Sequence, residues 1–297
     1  MDLPCSATSV AAGEPLAGSA PTAVGWVCLE QNGPWGPRAW TASHLDPELG
    51  AAIEDAATAH GIRPSLIRRP GRHADEHVDH ARQVLVAHSR PGASWLLAGQ
   101  VDSPAVLLEL DLDALVAGDR DAVAASVPGL APEAPQLLVC TNGTRDTCCA
   151  RLGRPVAVAA AAHFPGRVWE TTHTSGHRFA PTTVLLPSGA LHGRVLDAAP
   201  LLAAETTGEL DIRGYRGRCV WPAEGQVAED HVRRAFAVTG LDDLDVSPVG
   251  ADWTVSHLDG RRWQVRVTAY EEGERPESCG KADKPVTRHE VTVVGAD

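Results

Sequence analysis

The sequence has no run of about eighteen apolar residues, so no segment reads as a helix that could cross a bilayer. It also lacks an excess of positive charge. With 26 Lys and Arg against 38 Asp and Glu, the net charge is -12, without the basic footprint that nucleic acids and anionic membranes require. Neither is therefore expected as a partner, whereas a basic or mixed-charge redox protein is compatible. The first twenty residues carry no positively charged start followed by an apolar stretch, and the seven cysteines are an odd, scattered set rather than a secreted disulfide framework. The expected compartment is the cytoplasm, where reduced thiols can hold metal. Three chemistries are missing as well. Gly33-Pro34-Trp35-Gly36-Pro37 lacks the spacing and the Lys-Ser/Thr of a phosphate loop, no Cys-x-x-Cys pair follows a strand, and no paired-carboxylate glycosidase arrangement is identifiable.

What is present is enough apolar content, 43% of 297 residues, for a large core and an α/β (α+β) fold in two or three modules. Three regions are expected: an N-terminal α/β region over residues 1–130, a central region over 131–210, and a C-terminal helix plus small antiparallel sheet over 211–297. Residues 1–20 are Ala/Gly/Pro/Ser-rich and read as irregular. Strands are expected at 23–30, 65–68, 83–88 and 94–101, a helix opened by Asp46-Pro47, and another over 103–117. The Pro/Ala stretch 127–135 separates the first two regions. Pro187-Ser188-Gly189 joins two short strands into a hairpin, 196–208 and 224–239 are helical, and Asp259-Gly260 is a hairpin turn in the C-terminal sheet. The N-terminal and central regions could be divergent copies of one fold.

In the centre, Cys140, Cys149, His173 and His177 form the pattern C-x8-C…H-x3-H. The apolar run 136–140 predicts a buried strand ending at Cys140. A polar turn pivoting on Gly143 follows, and Asp146 has the character of a helix N-cap before an Ala-rich helix that starts at Cys148 or restarts at Pro155. Cys149 then lies in the first helical turn, where unpaired amides and the dipole favour a thiolate. Cys148 points about 100° away and is assigned to the core. His173 and His177 fall in a Thr-Ser-Gly loop after a second strand. Two thiols and two imidazoles in this order offer a metal site. Buried cysteines acting as small hydrophobes, and hydrogen-bonded histidines, are the structural alternatives.

The segments Cys140-Thr141-Asn142-Gly143-Thr144-Arg145-Asp146-Thr147-Cys148-Cys149 and His173-Thr174-Ser175-Gly176-His177-Arg178-Phe179-Ala180-Pro181 resemble the sucrase/ferredoxin-like family. Cys5-Ser6, residues 14–20, Gly33-Pro34-Trp35-Gly36 and Ser278-Cys279-Gly280-Lys281 fit it too. The resemblance implies a thioredoxin-like ferredoxin domain holding a [2Fe–2S] cluster in a non-Rieske, bis-histidinyl arrangement, with Cys140, Cys149, His173 and His177 as ligands. Ser175 departs from the pattern, which places glycine there.

The expected function is iron–sulfur electron transfer by a carrier rather than an enzyme, serving an unidentified redox partner, with coupling to a proton through the imidazoles. A structural Cys2His2 zinc module is the first alternative, since ligand count does not separate zinc from iron, and a thioredoxin-like thiol oxidoreductase is the second. Arg145 and Arg178 are candidates for tuning site charge. Cys5, Cys28, Cys219 and Cys279 read as single residues, Cys279 as a possible redox thiol. His73, His77 and His80, with His73 and His77 at helical i, i+4 spacing, form a weaker metal candidate among acidic neighbours.

Overall fold

A short helix, α1 (Cys5–Ala11), opens the chain in a computed structural model that describes residues 3–71 and 81–296. His73, His77 and His80 lie outside the described residues. The irregular start expected from composition is thus corrected: small residues with little intrinsic helix preference become helical because Cys5, Ser6 and Ser9 are buried against the turn His177–Phe179.

Two α/β units follow. The first comprises β1 (Gly25–Glu30), α2 (Pro47–Ala59), β2 (Ile62–Arg68), β3 (Arg82–His88) and β4 (Trp95–Val101). Asp46 caps α2, its carboxylate accepting from the N–H groups of Glu48 and Leu49 at 3.0 and 2.9 Å. The single helix expected over 103–117 is instead a 3-10 turn, Pro104–Glu109, followed by α3 (Leu112–Ala117). Asp111 makes the break by capping Ala114 N at 2.9 Å, and Asp119 likewise starts α4 (Arg120–Ser126). A two-residue strand, β5 (Ala131–Pro132), leads on.

The second unit comprises β6 (Gln136–Cys140), α5 (Thr147–His163), β7 (Val168–Thr171), β8 (Thr183–Leu186), β9 (Ala190–His192), α6 (Ala199–Thr206) and β10 (Tyr215–Arg218). Its strands and those of the first unit form one ten-stranded sheet in the order β10-β9-β8-β6-β7-β2-β1-β3-β4-β5. In each unit a parallel pair joined by a helix (β1–β2, β6–β7) is extended on one side by two antiparallel strands (β3–β4, β8–β9). The units therefore share one topology. They meet edge to edge through β2 and β7, where Arg68 lies opposite Glu170.

The packing follows from this layering. Helices α2 to α4 cover the first unit around Leu29, Leu66, Val84 and Leu115, and α5 and α6 cover the second around Leu137, Val139, Ala157 and Leu202. The opposite face runs unbroken across both, with Trp26, Ile67, Leu138 and Trp169 in one cluster.

The C-terminal region has its own core. Helix α7 (Ala223–Phe236) packs Ala228 and Val232 on a four-stranded antiparallel sheet of β11 (Leu244–Val249), β12 (Asp252–His257), β13 (Arg262–Pro276) and β14 (Asp283–Ala296), against Val255, Trp263 and Val265. The hairpin at Asp259-Gly260 is where the sequence puts it, while β11 is additional to the three strands the sequence predicts, 253–258, 262–270 and 286–294. Strands β13 and β14 run further than expected and carry Ser278 and Cys279 back to the start of α5.

Candidate functional site

Cys140 is delivered by the last position of β6, a strand buried along its whole length. The chain then turns through residues 141–146 and enters α5 at Thr147, one residue earlier than expected and continuous through Pro155. Asp146 is the cap foreseen from sequence, accepting from Cys148 N at 2.8 Å. Gly153 explains how closely helix and strand end approach: a Cβ there would lie 2.3 Å from the Cys140 carbonyl oxygen. Cys149 thus reaches Cys140, and both are 1% exposed.

The histidines come from the loop after β7. Its sharp course needs two successive left-handed residues, Ser175 at φ 64 and Gly176 at φ 70. That is the physical reason glycine suits position 175, and the serine is held there by its carbonyl, which accepts from Arg216 Nη1 at 3.2 Å. The loop stacks the His173 and His177 rings at 4.1 Å between centroids and 17° between planes. His177 Nδ1 lies 3.6 Å from Cys149 Sγ. Cys149, His173 and the backbone of Thr174 lie beside the Cys140 sulfur and favour its thiolate. The four residues therefore converge as a ring of pairwise contacts.

The charge environment is asymmetric. The hydrogen bond from Cys149, with those from His173 and Thr174, holds Cys140 well below the usual thiol range against the opposing effect of burial. Cys149, donor to that sulfur and buried, is pushed up. Burial, then the neighbouring His173, lowers His177 to about 4. Two guanidiniums approach from outside the ring. Arg63 donates to the His173 carbonyl at 3.0 Å, and the buried Arg216 donates to oxygens of Ser19 and Ser175, neither bond being to a carboxylate. Burial, with Arg178 and Arg63 nearby, drops Arg216 to about 9.

His173 opens onto a cleft of about 360 Å³ also lined by Arg38, Arg63, Asn142 and Arg145. Arg145 thus borders the site. Arg178 is instead bonded to the carboxylate of buried Glu14. The loop Gly33 to Gly36 packs on the cysteine turn: Asn142 Nδ2 donates to Gly36 O at 3.2 Å and Thr144 Oγ1 to Trp35 O at 2.5 Å.

Cys148 points away from this ring, as expected, but not into ordinary apolar packing. Its sulfur lies 3.8 Å from Cys5 Sγ and 3.4 Å from Cys279 Sγ, and Cys5 and Cys279 are 3.4 Å apart. Asp146 completes the group, 3.6 Å from Cys5 Sγ. Cys5 and Cys279, read as single in the sequence, are thereby corrected to members of a cluster. Their separation of 274 residues leaves no spacing signal; the one available hint was that Cys5-Ser6 and Ser278-Cys279 both fit the family pattern. Among the described residues this is the one group of three or more His, Cys, Asp or Glu side chains with donor atoms all within 4.8 Å of one another, close enough to hold a metal ion. No three of Cys140, Cys149, His173 and His177 meet that limit. Cys28 and Cys219 are core thiols, both pushed up by burial, with Cys219 accepting from Trp26 Nε1 at 3.5 Å.

A family model described as sucrase/ferredoxin-like matches residues 16–279, and the chain belongs to that family. No curated protein and no solved structure matches it. Among the described residues no helix is long and apolar enough to cross a membrane.

Proposed function

We propose that the protein is a one-electron carrier whose Cys140, Cys149, His173 and His177 hold a [2Fe–2S] cluster. The observation that carries this reading is the ring itself. Two thiols and two imidazoles, one pair from the strand end and helix start and the other from the loop after β7, meet around one point, the donor set that the family resemblance implies for such a cluster. When bound, such a cluster supplies a site that gains and loses one electron. The chain's residues fit that task. Arg63 and Arg216, bonded to the carbonyls of residues 173 and 175, bring positive charge that favours an added electron. Ser175 and Gly176 hold the two rings stacked, and the His173 side reaches the cleft where a partner would approach. The parallel pair β6–β7 extended by antiparallel β8 and β9 supports assigning the central unit as a thioredoxin-like ferredoxin domain.

Thiol–disulfide exchange is disfavoured because both sulfurs of the ring are 1% exposed and an incoming disulfide has no approach to them. A zinc module at this ring uses the same four ligands, and metal analysis separates the two. Optical and electron paramagnetic resonance spectra of anaerobically purified protein decide the matter. A coloured protein with iron and acid-labile sulfide in equal amounts is expected; a colourless one carrying zinc at these four residues defeats the reading. On the coloured protein, voltammetry should show a potential that falls in alkaline solution by up to about 59 mV per pH unit, through the outer nitrogens of the imidazoles. A flat response over that range removes the proton coupling.

A further inference from the structure

Behind the ring lies a group that electron transfer does not use. We propose that Cys5, Cys148 and Cys279, closed by Asp146, form a second and separate site for one thiophilic divalent ion of the zinc type, which fastens α1 and the tip between β13 and β14 to the start of α5, beside the histidine loop.

The geometry is that of a closed tetrahedral site. An ion about 2.3 Å from each sulfur sets sulfur–sulfur edges of about 3.8 Å, far beyond the length of about 2.05 Å at which two sulfurs are bonded. The three edges here are 3.8, 3.4 and 3.4 Å, and the Asp146 Oδ2 edge to Cys5 is 3.6 Å. The surroundings are those of oriented ligands. Ser6 Oγ donates to Cys148 Sγ at 3.3 Å and Cys5 N to Cys279 Sγ at 3.4 Å. Asp146 is fixed at both oxygens, by Cys148 N on one side and by Ser278 Oγ and Cys279 N at 2.8 and 2.9 Å on the other. Ordinary packing does not account for the group. The local core consists of Cys5, Cys140, Cys148, Cys149 and Ala180, with Cys279 against it, so there is almost no hydrocarbon for these thiols to pack with.

Cys5, Cys148 and Asp146 are buried and Cys279 is half-exposed, which gives an ion a way in and leaves a structural rather than catalytic site. Binding would release the thiol protons to solvent. The consequence is positional. Cys5 opens α1, which packs on the turn His177–Phe179, and Cys279 sits at the tip joining β13 to β14. An ion here ties both to the start of α5. Held in this way, α1 and the tip shield the ring from air; that shielding rests on the cluster assignment above, and the binding of the ion does not.

Metal analysis of the full-length protein separates the two. Wild type should carry about one zinc per chain besides any iron. Cys279→Ser should lose at least nine-tenths of the zinc, keep the visible spectrum when fresh, and bleach faster in air. Cys279→His, which restores a zinc donor, should retain the ion. Cys140→Ser/Cys149→Ser should lose iron and keep zinc. Cobalt added to the apoprotein should give a thiolate charge-transfer band that Cys279→Ser weakens and Cys140→Ser/Cys149→Ser does not. Absence of zinc binding and of that band in wild type overturns the proposal. So does zinc that follows Cys140 and Cys149 rather than Cys279, or a Cys5–Cys279 disulfide found by mass spectrometry in the native protein. Absence of iron with the zinc pattern intact would defeat only the cluster assignment.

Discussion

The two α/β units differ in what their first turns carry, although each follows its first strand with a turn and an Asp-capped helix. In the second unit β6 ends at Cys140, the chain continues Thr141-Asn142-Gly143, and Asp146 caps α5; in the first, β1 ends at Glu30, continues Gln31-Asn32-Gly33, and Asp46 caps α2. Cys140 thus corresponds to Glu30. Between turn and cap the first unit inserts a longer loop bearing Trp35 and Trp40, both buried, and that loop bonds to the cysteine turn of the second. One unit brings the two thiols and two imidazoles together, and the other packs a wall against their turn. Chemistry on this fold resides in a few turn positions, and topology alone predicts none of it.

The comparison breaks most sharply at the cysteines. Cys140→Ser or Cys149→Ser should abolish the chromophore, whereas Cys28→Ser, two residues before the end of the matching strand of the other unit, should leave it intact. Loss of colour from Cys28→Ser with retention in Cys140→Ser would exchange the roles of the two units. Cys148→Ser should keep the colour, since its sulfur faces Cys5 and Cys279.

Acid tests both units through a buried histidine. His192 in β9 has Nε2 bonded to Asp211 O at 2.8 Å while its Nδ1 is buried without a partner, so a second proton there would find no acceptor. Burial, opposed by that hydrogen bond, lowers it to about 4. In the first unit His88 is also lowered by burial, with Nδ1 3.0 Å from Leu115 O. Both rings are neutral in the fold, but the unfolded chain takes up protons below about pH 6.5. Stability is therefore full above that pH and declines as pH falls toward about 4, by on the order of 3 kcal/mol for the fully buried His192. Denaturant melts of wild type and His192→Gln between pH 7 and 4.5 check this; an equally steep slope in the variant rules His192 out as its source.

Glycines at the helix starts give a smaller, paired effect. A Cβ on Gly50 would meet Trp40 O at 1.9 Å, and one on Gly153 would meet Cys140 O at 2.3 Å. Alanine gains up to about 1 kcal/mol of helix preference, but backbone crowding costs about 1–3 kcal/mol and wins. Both variants should melt earlier. Only Gly153→Ala should also alter the visible spectrum, because it moves α5 off the strand that ends in Cys140.

How much of this was legible depended on distance along the chain. Cys140 to His177 lie within one β-α-β-loop segment, so spacing, the Asp146 cap and the Gly176 loop pointed to a convergence that the structure brings about. Cys5 and Cys279 carried no such signal, since only the tertiary fold closes 274 residues. Helix α1 was missed for a related reason: residues 5–11 lack local propensity, and burial against His177–Phe179 decides them. The break at Asp111 was legible in principle, as a side chain that competes for helix amides and begins a new helix instead of continuing the old one. The shared topology of the units was visible only as two α/β stretches until the strand order was known.

The gentlest test asks whether the wall contributes charge as well as shape. Arg63 belongs to β2 of the first unit, yet it donates to the His173 carbonyl and lies close enough to Cys140 to feel its charge. A cation beside an electron-accepting site stabilises the reduced form, so its removal should lower the reduction potential. At a separation of about 10 Å and an effective dielectric of about 20 the Coulomb interaction is roughly 1–2 kcal/mol, equivalent to a shift of roughly 40–90 mV for one electron. Arg63→Gln keeps a hydrogen-bond donor and should show that fall, while Arg63→Lys should stay near wild type. Arg38, at the rim of the same cleft, faces more solvent, so Arg38→Gln should move the potential less and the shift should fade in high salt. Equal shifts in Arg63→Gln and Arg63→Lys would mean that the first unit holds the loop in place without acting on its charge.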